Sequence, residues 1–427
     1  MLVEGQRNRR VLRRVTGLAR STPGRLSLVA LLLISASLLA GALTALSVQR
    51  RSDALAALAD RSEPLAFAAQ EVHRAMADAD ATAASAFLSG GVESPRLRGR
   101  YEADVAKAAA ALSAATSEST RSPELSPVLS TLSGQLPVYT GLVETARAHN
   151  RQGNPVGAAY LREASHLMRS RLLPAAQELY RAETGNVARD LRGAGALPWS
   201  ELALGAVLLT ALALAQRYLT RKTNRLLNVG LLVATAMAVV SLLWVLAASL
   251  LVVARVDSSA RDAALVDVLA RARIATLSAR GDETLTLVAR GSGAQYEQRY
   301  GEADAQLREL LAQARGMTDA PAVAAAVRHQ QRWQEVHARV RAADDGGDVA
   351  QAVALALGQD PAGAATAFDA LDAGLVEALA GARQGLTDSI ARARGALTGA
   401  VPVVVLLALG AAAASTAGLW QRLKEYR

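Results

Sequence analysis

The stretch LLNVGLLVATAMAVVSLLWVLAASLLVVA, residues 226–254, contains 29 consecutive residues without a charged side chain. A helix needs about 20 apolar residues to cross the hydrocarbon core of a bilayer, so this stretch predicts a transmembrane helix. Arg225 precedes the stretch and Arg255 follows it. The sequence therefore predicts a helix that meets water at both of its ends.

Three further apolar runs predict three more spans. Leu26–Val48 contains no charge in 23 residues, and Gly395–Gln421 contains none in 27. Leu202–Gln216 has only 15 uncharged residues and reaches spanning length when Leu197–Glu201 is added. Two alternatives stay open. The first run could be a cleaved signal peptide, although the apolar region of such a peptide is normally about 7–15 residues. The second run could be a buried soluble helix.

The basic residues are concentrated beside the predicted spans. The chain has 47 Lys and Arg against 38 Asp and Glu. Residues 1–25, 216–228 and 421–427 together hold 14 of these cations and two acids, which leaves 33 cations and 36 acids elsewhere. Cytoplasmic loops of membrane proteins carry an excess of Lys and Arg. The pattern predicts that both termini and the 216–228 hairpin are cytoplasmic, and that the two long segments between spans are extracytoplasmic.

The hairpin QRYLTRKTNRLLN, residues 216–228, is the densest of the basic segments. Its four cations are Arg217, Arg221, Lys222 and Arg225, and it has no acid. These side chains are expected to hold the hairpin on the cytoplasmic side and could contact anionic lipid headgroups. No basic stripe interleaved with aromatic residues occurs in a soluble segment, so the sequence predicts no nucleic-acid partner.

Composition favours helices throughout. Hydrophobic residues make up 51% of the chain but aromatic residues only 4%, and no run alternates in the manner of a strand. With 12 prolines, long uninterrupted helices are allowed. The chain has no cysteine, which excludes disulfides, a thiol nucleophile and Cys-ligated zinc.

Landmarks recur about 200 residues apart. RYEAD at Arg100–Asp104 matches RYGEAD at Arg299–Asp304, and FLSGG at Phe87–Gly91 matches VARGSG at Val288–Gly293. Agreement in order and spacing over such a long period predicts duplication of a whole module.

Three breaks in each long segment predict four helices. The breaks fall at glycines, prolines and small polar residues, at Gly90–Pro95, Ser122–Pro127, Gly153–Pro155, Gly291–Gly293, Asp319–Pro321 and Asp344–Asp348. An even number of helices returns the chain to the membrane, which predicts an up-down four-helix bundle in each segment. Pro174 and GQDPAG, Gly358–Gly363, are expected to kink or interrupt the fourth helices.

The predicted fold class is all-α: a multipass membrane protein with four transmembrane helices and two tandem extracytoplasmic up-down four-helix bundles related by internal duplication. The predicted parts follow the chain as a basic cytoplasmic tail (1–25), span one (26–48), bundle one (49–198), span two (199–216), the basic hairpin (217–228), span three (229–254), bundle two (255–396), span four (397–420) and a cytoplasmic tail (421–427). Whether the two bundles pack on each other is not decided by sequence.

No motif points to catalysis. The five histidines form no H-x-x-x-H or H-E-x-x-H pair, and His329 and His337, eight residues apart, are interpreted as solvated or partly packed. Asp78 and Asp80 in MADADAT point to different sides of a helix. The spans hold no deep charge of the kind that a transporter usually needs. The sequence predicts no catalytic, cofactor-binding or metal-ligating residue and no enzyme activity.

The predicted cytoplasmic segments total only about 45 residues, close to the roughly 40 residues below which a domain is rarely stable alone. So small a cytoplasmic part favours a receptor whose output activity is carried by another protein. The main alternatives are a structural envelope scaffold and an auxiliary subunit of an envelope export machine.

In layout, length and Arg/Ala-rich composition, the chain resembles actinobacterial GlnX-type membrane proteins, and each predicted bundle is similar to chemoreceptor sensory domains. The resemblance implies a sensor that couples an extracytoplasmic amino-acid-binding lipoprotein to a cytoplasmic Ser/Thr protein kinase. It implies no catalytic residue. Arg217, Arg221, Lys222 and Arg225 are then candidates for the inner partner contact, with topology-setting charge as the alternative.

Overall fold

A computed structural model describes residues 22–89, 94–117, 123–223, 228–289, 291–358 and 362–424. These residues are helical apart from short turns, and no strand occurs among them. The predicted all-α class is therefore confirmed for this part of the chain.

Thirteen α-helices lie in the residues that the structure covers, and in chain order they are α1 (Thr22–Ala57), α2 (Glu63–Leu88), α3 (Pro95–Ser117), α4 (Ser126–Arg151), α5 (Val156–Leu167), α6 (Leu173–Ala194), α7 (Trp199–Thr223), α8 (Val229–Val288), α9 (Ala294–Met317), α10 (Pro321–Asp345), α11 (Val349–Leu357), α12 (Ala364–Leu397) and α13 (Ala400–Lys424). Two π-helical turns, Leu58–Ser62 and Met168–Leu172, join α1 to α2 and α5 to α6. A 3₁₀ turn at Pro123–Leu125 precedes α4.

Four helical stretches are long and apolar enough to cross a membrane: Ser27–Leu88, Val156–Arg221, Val229–Val288 and Ala364–Gln421. They cover the four predicted spans apart from Leu26, the first residue of span one. This finding indicates a membrane protein. The orientation of the spans stays a prediction from the distribution of charge.

The chain divides into two compact units. Met1–Ala56, Leu191–Asp257 and Ile390–Arg427 form the span unit. Ala57–Asp190 and Ser258–Ser389 form the bundle unit, and we call these two pieces the first bundle and the second bundle.

Small residues allow close helix contact within the span unit. A Cβ atom placed on Gly230 would overlap the Cα of Gly418, so α8 and α13 cross with their backbones in direct contact. The Asn228 side-chain amide donates a 3.0 Å hydrogen bond to the Gly418 carbonyl at the same crossing. Such contacts hold membrane helices together where water provides no driving force.

The two bundles share one hydrophobic core, which answers the question that the sequence left open. Buried residues of both bundles, such as Met76, Leu132, Leu269 and Trp333, belong to a single cluster. Helix α2 buries every residue from Ala69 to Ala86 except Glu71. The Ser85 and Thr284 hydroxyls lie 3.5 Å apart, so α2 and α8 contact each other in the interior. Alanine-rich faces permit this close approach.

The turns use glycine where the backbone requires it. Gly153, Gly291 and Gly347 have φ values of 69°, 84° and 82°, a left-handed conformation that other residues rarely adopt. All three lie in predicted breaks. The fourth helix of the first bundle continues through the π-helical turn ahead of Pro174, whereas that of the second bundle stops at Leu357 and resumes at Ala364.

Candidate functional site

The predicted inner contact residues are only partly described. Arg217 and Arg221 are exposed on α7. Lys222 belongs to α7, but its side chain lies outside the described residues, and so does Arg225 altogether. Their role as a partner contact therefore stays a prediction.

The interior of the bundle unit contains an arginine between two aspartates. The Nε atom of Arg169 lies 3.6 Å from Asp80 on α2, and its Nη1 atom donates a hydrogen bond to Asp282 on α8. Both carboxylates are only 3% exposed. Arg169 of the first bundle thus joins α2 and α8, which we call the two central helices, and so the two bundles.

Asp80 has further polar partners inside the first bundle. Ser165 donates a 2.8 Å hydrogen bond to it, and the Tyr139 hydroxyl lies 3.5 Å away. Burial raises the pKa of Asp80, and Arg169, Ser165 and Tyr139 act in the opposite direction. Burial likewise raises the pKa of Asp282, against the charge of Arg169. A buried carboxylate is costly without such partners, so these contacts favour one arrangement of the helices.

The second bundle contains a buried histidine between two glutamates. His337 Nδ1 lies 2.9 Å from Glu283 and Nε2 lies 3.0 Å from Glu297, so both ring nitrogens face carboxylates. Burial lowers the pKa of His337, but the hydrogen bonds and charges of the two glutamates outweigh it and raise the pKa to about 9. The imidazole is therefore positively charged at neutral pH. Arg280 also pairs with Glu283.

An aromatic column packs beside this histidine. The Tyr300 ring stacks on His337 with centroids 3.6 Å apart, and Trp333 meets Tyr300 edge-on at 5.7 Å. Phe368 continues the column at 5.7 Å from Trp333. Trp333 is fully buried. In a chain with few aromatic residues, this column makes the second bundle a tightly packed element.

Charged residues also line a groove of about 510 Å³. Within it Asp104 is 2% exposed. Burial and the neighbouring Asp78 raise the pKa of Asp104 to about 7, against the charges of Arg74 and Lys107. Asp104 thus titrates near neutral pH.

Salt bridges at the surface join the two bundles. Asp369 of the second bundle binds Arg96 at 3.1 Å and Arg100 at 3.2 Å. Arg383 binds Glu63 at 2.8 Å, and its guanidinium lies 3.5 Å from the centroid of the Phe67 ring. The interface between the bundles is therefore rich in charge.

The sequence did not predict these clusters. Asp78 faces Arg100 and Asp80 faces Arg169, in agreement with their placement on different sides of a helix. His337 binds glutamates, whereas His329 faces the position of Gly374. Among the described residues, no group of three His, Asp or Glu side chains could hold a metal ion. The signal in the sequence that could have revealed these clusters was the presence of acidic residues, such as Asp282 and Glu283, within a buried stretch of helix.

These features define a helical membrane protein with a polar, buried core in its bundle unit. Residues 54–192 match the family model described as the actinobacterial sensor domain, and this range includes the first bundle. The match indicates a sensor-type protein with a signal-sensing role. No curated protein and no solved structure matches the chain.

Proposed function

We propose that this protein is a transmembrane signal transducer without a catalytic output of its own. It couples an extracytoplasmic amino-acid-binding lipoprotein to a cytoplasmic Ser/Thr protein kinase. The observation that supports this proposal best is α8, one unbroken helix from Val229 to Val288 that contains an apolar span and also residues of the second bundle. A continuous helix can transmit a rotation or a shift along its length.

Signalling requires two arrangements of the helices that a partner can distinguish. Arg169 forms ion pairs with Asp80 and Asp282. These two ion pairs can be made or broken together, because buried charges tolerate few intermediate arrangements. A lipoprotein that binds one arrangement more tightly would shift the population toward it. The kinase would then meet a changed cytoplasmic surface.

The proposal places both bundles outside the cell and derives them from one duplicated module. The charge distribution supports the placement, and the recurring RYEAD and RYGEAD stretches support the duplication. Reporter fusions at residues 150 and 345 test the placement. Activity of an export-dependent reporter at both sites is expected, and a cytoplasmic position of either site would contradict the proposal.

The basic hairpin is proposed as the kinase contact. Replacing Arg217, Arg221 and Arg225 with lysine keeps the charge that sets topology but removes the planar guanidinium groups. Loss of kinase recovery in this variant, with unchanged topology, would support recognition by the hairpin. If the variant recovers as much kinase as the wild type, these residues serve only to set the membrane topology.

Crosslinking of native membranes, followed by affinity purification and mass spectrometry, tests the function as a whole. A solute-binding lipoprotein and a Ser/Thr kinase should be recovered together. Their joint absence contradicts the proposal, and recovery of secretion or wall-synthesis proteins instead would favour an export subunit or a scaffold.

A further inference from the structure

The bundle unit has a second cavity, of about 410 Å³ and partly open to solvent, between the first and second bundles. This volume lies within the range of about 300–1,000 Å³ that is typical of small-molecule sites. Its charged and aromatic lining comes from both bundles and consists of Asp78, Arg96, Arg100, Arg280, Phe368 and Asp369.

Guanidinium groups converge on this cavity from both bundles. The guanidinium carbons of Arg100, from the first bundle, and Arg280, from the second, lie 5.8 Å and 5.6 Å from the centre of the Phe368 ring. Arg96 adds a third guanidinium that is 64% exposed. A guanidinium has five N–H donors in a plane and binds carboxylates in a two-point geometry. Arg280 is buried and already donates to Glu283 and to a backbone carbonyl. A small carboxylate would therefore bind chiefly at Arg96 and Arg100.

Acceptors lie beside these donors. Asp78 accepts a hydrogen bond from Arg100 at 2.9 Å, and Asp369 accepts one from Arg100 at 3.2 Å. A carboxylate has about four acceptor positions, so these aspartates can also accept from a cationic amine. The hydroxyl-bearing residues Thr82 and Ser94 lie in the same lining. Both signs of charge thus face the cavity.

We propose that this cavity binds a small molecule of amino-acid size that carries both a carboxylate and a protonated amine. The carboxylate lies at the arginines and the amine at Asp78 and Asp369. The proposal rests on the proposed sensing function and adds a direct binding site to it. Because the lining comes from both bundles, the bound molecule would favour one packing of the bundles over another.

The test uses the purified full-length chain in lipid nanodiscs. Isothermal calorimetry and thermal unfolding are measured with glycine, L-glutamate, L-leucine and L-arginine, and with propionate and propylamine, which each carry one of the two groups. At least one amino acid should bind with Kd below about 1 mM and raise the melting temperature. Propionate and propylamine should bind at least about tenfold more weakly.

Two variants and one control locate the site. Arg96→Ala should weaken binding about tenfold or more, because it removes an exposed guanidinium of the lining. Ser94→Trp places a large ring at an exposed lining position and should weaken binding by a similar factor. Arg98→Ala is the matched control: Arg98 lies on the same helix and pairs with Glu102, outside the lining, so affinity should stay within about twofold.

The proposal is overturned if none of the four amino acids binds, if propionate or propylamine binds as tightly as they do, or if Arg96→Ala and Arg98→Ala have equal effects. The pull-down of the lipoprotein and the kinase does not depend on this measurement. If no amino acid binds the purified chain but both partners are recovered, only this inference is rejected. If an amino acid binds but the partners are not recovered, only the coupling is rejected.

Discussion

The first and second bundles contain helices in the same order, but the helices are interrupted at different places. In the first bundle, π-helical turns at Leu58–Ser62 and Met168–Leu172 interrupt the first and fourth helices. In the second, α8 is unbroken and the fourth helix is interrupted between Leu357 and Ala364. A π-helical turn inserts a residue and changes which face the following helix presents.

The buried polar residues of the two bundles also differ. Arg169 lies within the second π-helical turn and binds carboxylates of both central helices. The second bundle instead holds His337 between two glutamates beside an aromatic column. Arg169 therefore links the two bundles, whereas the buried histidine pairs only with residues of the second bundle.

Arg169→Ala is expected to have the largest effect on stability. It leaves Asp80 and Asp282 buried without their cation, which typically costs about 3–5 kcal/mol. Urea or thermal unfolding of the detergent-solubilised protein measures the change. Arg171→Ala, at an exposed position of the same turn, is the control and should be nearly neutral. A small effect of Arg169→Ala would remove the assigned difference between the bundles.

The charge of His337 should make stability depend on pH in the alkaline range. Its folded pKa of about 9 lies above the usual 6.5, so its contribution is complete below pH 6.5 and is lost as pH rises through about 9. The expected loss is on the order of 3 kcal/mol.

Unfolding measured from pH 7 to 10 in the wild type and in His337→Gln checks this prediction. The variant should lose most of the pH dependence in that range. Asp104, with its pKa raised to about 7, loses its contribution as pH rises to that value and so acts mainly at lower pH. An identical alkaline profile in both proteins would rule out His337 as the source.

Gly281→Ala tests how closely the central helices approach Arg169. A Cβ atom at this position would lie 2.9 Å from Arg169 Nη2, so the guanidinium that pairs with Asp282 must shift to make room. The expected loss is about 1 kcal/mol, at the low end for overpacking, because the contacted atom ends a flexible side chain. Gly301→Ala, where an added Cβ meets nothing within 4 Å, should be neutral or slightly stabilising. Equal effects at the two glycines would contradict the proposed crowding.

Exposed ion pairs should matter least, and equally in both bundles. Arg98 and Glu102 in the first bundle, and Arg332 and Glu335 in the second, are about half exposed or more. Removing either arginine should change the unfolding free energy by about 0–1 kcal/mol. A clearly larger loss in one bundle would show that surface charge, rather than the buried core, distinguishes them.

Much of the helical framework could be predicted from local patterns. Apolar runs without charge predicted the four candidate spans because the length of such a run is a property of consecutive residues. Gly153, Gly291 and Gly347 marked turns because only glycine adopts their backbone conformation readily. The candidate contact at Arg217, Arg221, Lys222 and Arg225 stays a prediction based on charge alone.

The sequence by itself determined the helical class, the four apolar stretches and most of the turns, because each of these depends on neighbours along the chain. Only the tertiary structure decided that the bundles share one core and that Arg169 meets Asp80 and Asp282. From Ala69 to Ala86, α2 is buried on every side except at Glu71, so a sequence pattern that marks one apolar face does not show which helix each side meets. The partner of a buried charge then depends on how distant helices pack.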